Sequence, residues 1–133
     1  MISICGEKFT PAQARMLNPL VLAYVGDSVF DLFVRTSLIK SGKAGKLHML
    51  SAKMVCAKAQ ANVIKELLSG LSEEETEIFM RGRNAKTATV PKNADVADYH
   101  MATGFEALIG YLYITGEDER LQQLMSAVTG DKG

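Results

Sequence analysis

Two acids set in apolar helices are the residues of this chain with the most chemistry to offer. In the stretch from Leu22 to Arg35, LAYVGDSVFDLFVR, helical spacing puts Ala23, Asp27, Asp31 and Val34 on one side, next to Leu20, Tyr24 and Phe30. Two carboxylates thus interrupt an otherwise apolar face. A buried unpaired carboxylate costs several kcal/mol, so each should be exposed, paired or bound to a cation. Gly26 sharpens the point: Gly inside a helix costs about 1 kcal/mol relative to Ala, and the usual compensation is a close approach of something to the backbone.

The stretch from Ala102 to Gly116, ATGFEALIGYLYITG, offers the counterpart, because Ala102, Glu106, Gly110 and Tyr113 share a face and the one acid of that helix body lies between small residues. If the two faces meet, Asp27 and Glu106 present hard oxygen ligands to one divalent cation. The residues alone leave a second reading open, in which each acid is separately exposed or capped.

Other chemistries lack their parts. The two histidines, His48 and His100, fall in helical stretches without a partner set for nucleophilic catalysis, and neither belongs to HExxH or ExxH. No GxxxxGK[ST] phosphate loop and no strand-linked GxGxxG is present. Paired carboxylates on packed helices, beside a basic segment, suit phosphodiester hydrolysis by a carboxylate-held Mg²⁺.

That basic segment exists although the 133-residue chain has a formal net charge of zero. Arg35, Lys40, Lys43, Lys46, Lys53, Lys58 and Lys65 follow one another without an intervening acid, and so do Arg81, Arg83, Lys86 and Lys92. These hold eleven of the fifteen Lys and Arg, while Glu73, Glu74, Glu75, Glu77, Glu117, Asp118 and Glu119 concentrate the opposite sign. Segregated charge makes a local positive field, and polyanions respond to the local field. For the first segment an ordinary solvated helix face accounts equally well for the pattern.

The elements that must position these residues are helices. Thr10-Pro11-Ala12-Gln13 is a cap, a Pro at the first helical position and a Gln that closes a capping box, so a short helix should run to about Leu17. Asn18-Pro19 opens a long helix to about Lys40, with Gly42 and Gly45 closing it. Leu47, Leu50, Met54, Ala57, Ala61, Ile64 and Leu68 recur at three and four, predicting one continuous amphipathic helix that ends at Gly70. Ser72 to Glu75 is a capping box for a helix to about Arg83; RGRNAKTATVPKN then reads as a basic loop, Asn93 as the cap of the helix bearing Glu106, and Asp118 as the start of a last helix to about Val128. No strand alternation appears. The expectation is an all-α architecture of six or seven helices in one domain spanning residues 1–133. With Cys5 and Cys56 as its only cysteines, and no apolar run near the ~18 residues of a membrane span, the expected setting is cytoplasmic, away from membranes.

GDSVFDLFVR followed by FEALIGYLY resembles the two signature segments of the ribonuclease III family, and with RGRNAK and PKNA between them and no double-stranded RNA-binding domain the chain is most similar to the Mini-III branch of that family. The resemblance runs from about Asn18 to Gly116. It implies an all-helical domain that dimerises through the first signature helix, with the two active sites lining a valley for duplex RNA. It implies Asp27 and Glu106 as catalytic metal ligands for Mg²⁺. Where the larger ribonuclease III enzymes carry a glutamate four residues before the aspartate and an aspartate three before the glutamate, this chain has Ala23 and Thr103, as the Mini-III branch does, which leaves the number of metals open. Asp31 reads as a salt-bridge or supporting partner. Arg81, Arg83, Lys86 and Lys92 are the candidates for RNA phosphate contact, since duplex RNA is recognised largely through shape and backbone.

The expectation is a homodimeric, Mg²⁺-dependent endoribonuclease that cuts double-stranded RNA in maturation of the 23S ribosomal RNA precursor, where a ribosomal protein that presents the substrate is a compatible further partner. The rivals are a non-catalytic RNA-binding or ribosome-assembly module on the same fold, favoured by the two missing acids, and a purely structural helical dimer.

Overall fold

The second half of the signature builds the centre of the molecule. In a computed structural model, which describes residues 7–40, 44–86 and 90–129, the segment Val96–Ile114 is a helix buried from Ala102 to Phe105 and again from Ala107 to Tyr113. A helix apolar all round can only sit inside. The others wrap it. In chain order they are α1 (Pro11–Arg15), α2 (Pro19–Leu38), α3 (Ala44–Val55), α4 (Ala57–Leu67), a 3₁₀ turn (Leu68–Gly70), α5 (Glu73–Arg83), the central α6 (Val96–Ile114) and α7 (Asp118–Thr129). The described residues are all-α, as the sequence predicts, and none of their helices is long and apolar enough to cross a membrane.

Caps set the starts. Thr10 and Gln13 form the reciprocal capping box of α1, and Ser72 with Glu75 that of α5. Asn18 Oδ1 accepts from the Leu20 N–H at 2.8 Å, and Pro19 starts α2. α2 then lays Leu22, Ala23, Gly26, Val29, Phe30 and Val34 on α6, where Phe30 meets Phe105 edge to face with ring centres 5.6 Å apart. α5 adds Ile78 and Phe79, α4 adds Ala61 and Ile64, and α7 adds Leu121, Leu124 and Met125. At the far side Arg120 joins α7 to Glu75 at 2.8 Å and to the Gly70 carbonyl at 2.9 Å, and its guanidinium holds the Glu75 carboxyl below the usual range.

Several expected boundaries move. α1 stops at Arg15 and α2 at Leu38; Gly42 lies outside the described residues, and Gly45 falls inside α3 instead of closing α2. The continuous helix expected from Leu47 to Leu68 is two helices, broken at Cys56, whose backbone is extended (φ −66°, ψ 156°). The cause is tertiary: α3 packs on α2 while α4 packs on α6, and one straight rod cannot follow both. α6 is capped by Asp95, whose Oδ1 accepts from the Asp98 N–H at 3.0 Å, because Asn93 is taken up in a turn closed by the Ala94 N–H donating to the Pro91 carbonyl.

Candidate active site at the α2–α6 crossing

α2 and α6 cross with their main chains in contact. A Cβ added to Gly26 would lie 1.8 Å from the carbonyl oxygen of Glu106, and one added to Gly110 would lie 2.0 Å from that of Leu22. Only glycine fits either place. This closeness carries the Asp27 side chain, next in the chain to Gly26, to the Glu106 side chain, and the two carboxyls come within hydrogen-bonding reach. The acids expected to converge therefore do so. Asp27 is exposed, one of the outcomes open to an acid on an apolar face, and Glu106 is half-buried.

Glu106 feels that position. Burial pushes its carboxyl up to about 8, the shared hydrogen bond with Asp27 and the charge of Asp27 push the same way, and a hydrogen bond from Gln60 partly opposes them. Two oxygen acids crowded together with nothing positive between them suit a small hard cation, which would relieve the repulsion that raises Glu106. Mg²⁺ commonly takes one or two carboxylates and fills its remaining positions with water and substrate oxygens, so two acids suffice for a fit. Among the described residues no group of three or more His, Cys, Asp and Glu gathers here or elsewhere. Ala23 is buried without a ligand atom, and the Thr103 hydroxyl donates to the Tyr99 carbonyl at 2.9 Å, so neither replaces an acid.

Gln60 is the residue that sequence reasoning missed. It is 2% exposed, and its Nε2 donates to the Val55 carbonyl at 2.8 Å and to Glu106 Oε2 at 3.4 Å. The signal available was an amide flanking the apolar positions Ala57, Ala61 and Ile64.

Asp31 forms an ion pair with Arg35 at 3.0 Å, one turn along α2. His48 is exposed, and His100 packs edge-on against Tyr99. The four basic candidates divide. Arg81 and Arg83 belong to the last turn of α5 and not to a loop. Arg81 donates from Nη1 to the Arg15 carbonyl at 2.9 Å and from Nη2 to the Leu17 carbonyl at 3.2 Å, so its guanidinium clasps the α1–α2 junction instead of facing solvent. Arg83, Lys86 and Lys92 are exposed; residues 87–89 lie outside the description. Lys92 and Lys58 line an open depression with Cys56, Pro91, Asp95 and Asp98, and Asp98 shares the helix face of Ala102 and Glu106. Of the first basic segment Arg35, Lys40, Lys46, Lys53, Lys58 and Lys65 are all exposed, and Lys43 lies outside the described residues.

The chain is similar to known proteins along most of its length. The family described as "Ribonuclease III domain" matches residues 20–117. A Mini-ribonuclease 3 of Clostridium tetani is 49% identical over 126 residues, covering 92% of this chain and 83% of the relative. A Mini-ribonuclease 3 of a Thermoanaerobacter species is 47% identical, covering 90% of this chain and 85% of the relative. A crystal structure of a Fusobacterium nucleatum protein superposes with a TM-score of 0.79 at 30% identity, over 86% of this chain and 94% of that one. By sequence and by fold, this chain belongs to the ribonuclease III domain family of endoribonucleases.

Proposed function

We propose that this chain is a Mg²⁺-dependent endoribonuclease that cuts double-stranded RNA, with Asp27 and Glu106 as its catalytic metal ligands. The observation that carries the reading is the meeting of those two carboxyls over the glycine crossing. Asp27 and Glu106 would hold the cation, which when bound would supply an activated water and neutralise charge at the scissile phosphate. Glu106 has to shed its proton to hold it. Arg83, Lys86 and Lys92 take phosphates of the duplex, while Arg81 keeps the α1–α2 junction against the helix that ends beside them.

The same reading makes the protein a homodimer. Val21, Tyr24 and Leu32 are exposed along one stripe of α2, Tyr24 by 81%, with Ile39 exposed just past its end, and an apolar stripe of this kind suits a second copy of the same helix. The proposed substrate is the 23S ribosomal RNA precursor in the cytoplasm, which the resemblance of the two signature segments to the Mini-III branch implies, with a ribosomal protein as a fitting presenter.

The test is cleavage of duplex RNA against Mg²⁺ concentration for the wild type, Asp27→Asn and Glu106→Gln. Both variants are expected to lose cleavage while keeping fold and dimer; either one cutting at the wild-type rate overturns the assignment. The scarcity of acids at the site favours one second reading, a non-catalytic RNA-binding module, and duplex binding without cutting by the wild type in Mg²⁺ would select it.

A further inference from the structure

A carboxamide has two N–H donors and one oxygen acceptor, and at Gln60 the nitrogen is partnered while the oxygen is not. Its Nε2 donates to the Val55 carbonyl at 2.8 Å, and this bond fixes which way the amide faces, because turning it over would set its oxygen against the carbonyl oxygen. The Val55 carbonyl is there to be used because the backbone turns extended at Cys56. The same nitrogen reaches Glu106 Oε2 at 3.4 Å. The oxygen, Oε1, is buried and has no partner among the described residues.

We propose that Gln60 is a positioning residue for the metal site: its anchored amide sets the orientation of the Glu106 carboxylate, and its Oε1 accepts a hydrogen bond from a water of the bound cation. The inference rests on the reading of Asp27 and Glu106 as metal ligands. Ligating carboxylates are ordinarily held by hydrogen bonds of their own, and a site with only two acids leaves much of the cation's shell to water. A buried acceptor beside such a shell finds its donor there. Gln60 thus supplies, from a third helix, part of the order that additional acids would impose.

The test compares the wild type with Gln60→Met, which keeps length but removes donors and acceptor. Mn²⁺ affinity is measured by electron paramagnetic resonance without RNA, melting in EDTA, duplex affinity in EDTA, and kcat and KM in Mg²⁺. Gln60→Met is expected to lose about tenfold in Mn²⁺ affinity and a similar factor in kcat, with KM and duplex affinity nearly unchanged. Unchanged Mn²⁺ affinity and kcat in Gln60→Met overturn the inference and leave the metal reading standing, provided that the wild type binds Mn²⁺ and Glu106→Gln does not. A wild type that binds no Mn²⁺ defeats the metal reading and this inference with it. Should Gln60→Met fail to fold, the ¹⁵N side-chain signals of Gln60 in the wild type decide: a shift saturating with Mg²⁺ supports the proposal, and signals indifferent to Mg²⁺ overturn it.

Discussion

Gly26 and Gly110 face each other across the crossing of α2 and α6, each so close to the opposite main chain that a methyl group at either would overlap a carbonyl oxygen. The opposing atoms are backbone, so no side-chain rotation can make room. Gly26→Ala and Gly110→Ala should each destabilise the fold by about 3 kcal/mol, the upper end of ordinary overpacking, and should abolish cleavage by separating the carboxyls. Thermal melts beside cleavage assays check this, and a Gly26→Ala protein of wild-type stability would contradict the geometry.

Without a cation, stability should fall as pH rises. The folded chain keeps the Glu106 proton up to about 8, whereas an unfolded glutamate releases it near 4.5, so between these values the folded state binds more protons and loses stability with each step upward. Above that window the slope ends. Glu106→Gln should flatten the profile, and saturating Mg²⁺ should flatten it in the wild type; denaturant melts from pH 4 to 9, in EDTA for the two proteins and in Mg²⁺ for the wild type, measure all three.

Proton and cation compete for the same carboxylate. Cleavage should therefore rise with pH across the range below about 8, and its midpoint should move to lower pH as Mg²⁺ concentration increases. A midpoint independent of Mg²⁺ would detach Glu106 from the metal.

The basic residues should separate by assay. Arg81→Ala removes two hydrogen bonds to main-chain carbonyls and should cost about 1–2 kcal/mol of stability with little change in the salt dependence of RNA binding. Arg83→Ala, Lys86→Ala and Lys92→Ala should leave stability alone, weaken duplex binding across sequences and each lower the salt slope by about 1. Binding titrations at several salt concentrations, with parallel melts, distinguish the two groups.

Charge placed on the outer stripe of α2 should split the dimer. Leu32→Glu and Tyr24→Glu put like charges where two copies would meet, and light scattering after size exclusion should report a monomer with an unaltered helical spectrum.

Much of this arrangement was legible in the chain. Capping boxes at Thr10 and Ser72 announced their helices, because a cap is a local contract between neighbours. The glycine beside each acid announced the crossing, because nothing else explains a glycine within an apolar helix. The break at Cys56 was not legible: apolar spacing at three and four continues through it, and no Gly or Pro marks it, since the cause lies in what α3 and α4 pack against. Arg81 read as a phosphate contact because its sequence neighbours are basic; its carbonyl partners lie 64 and 66 residues away. Gln60 escaped notice for the same reason, with Glu106 46 positions further on.

The elbow at Cys56 also joins two regions that would otherwise ignore each other. α3, on one side of it, packs on α2, and α4, on the other, delivers the Gln60 amide to Glu106. On the proposed reading, a substitution that disturbs the seat of α3 on α2 lies one residue from the start of the helix that brings Gln60 to Glu106.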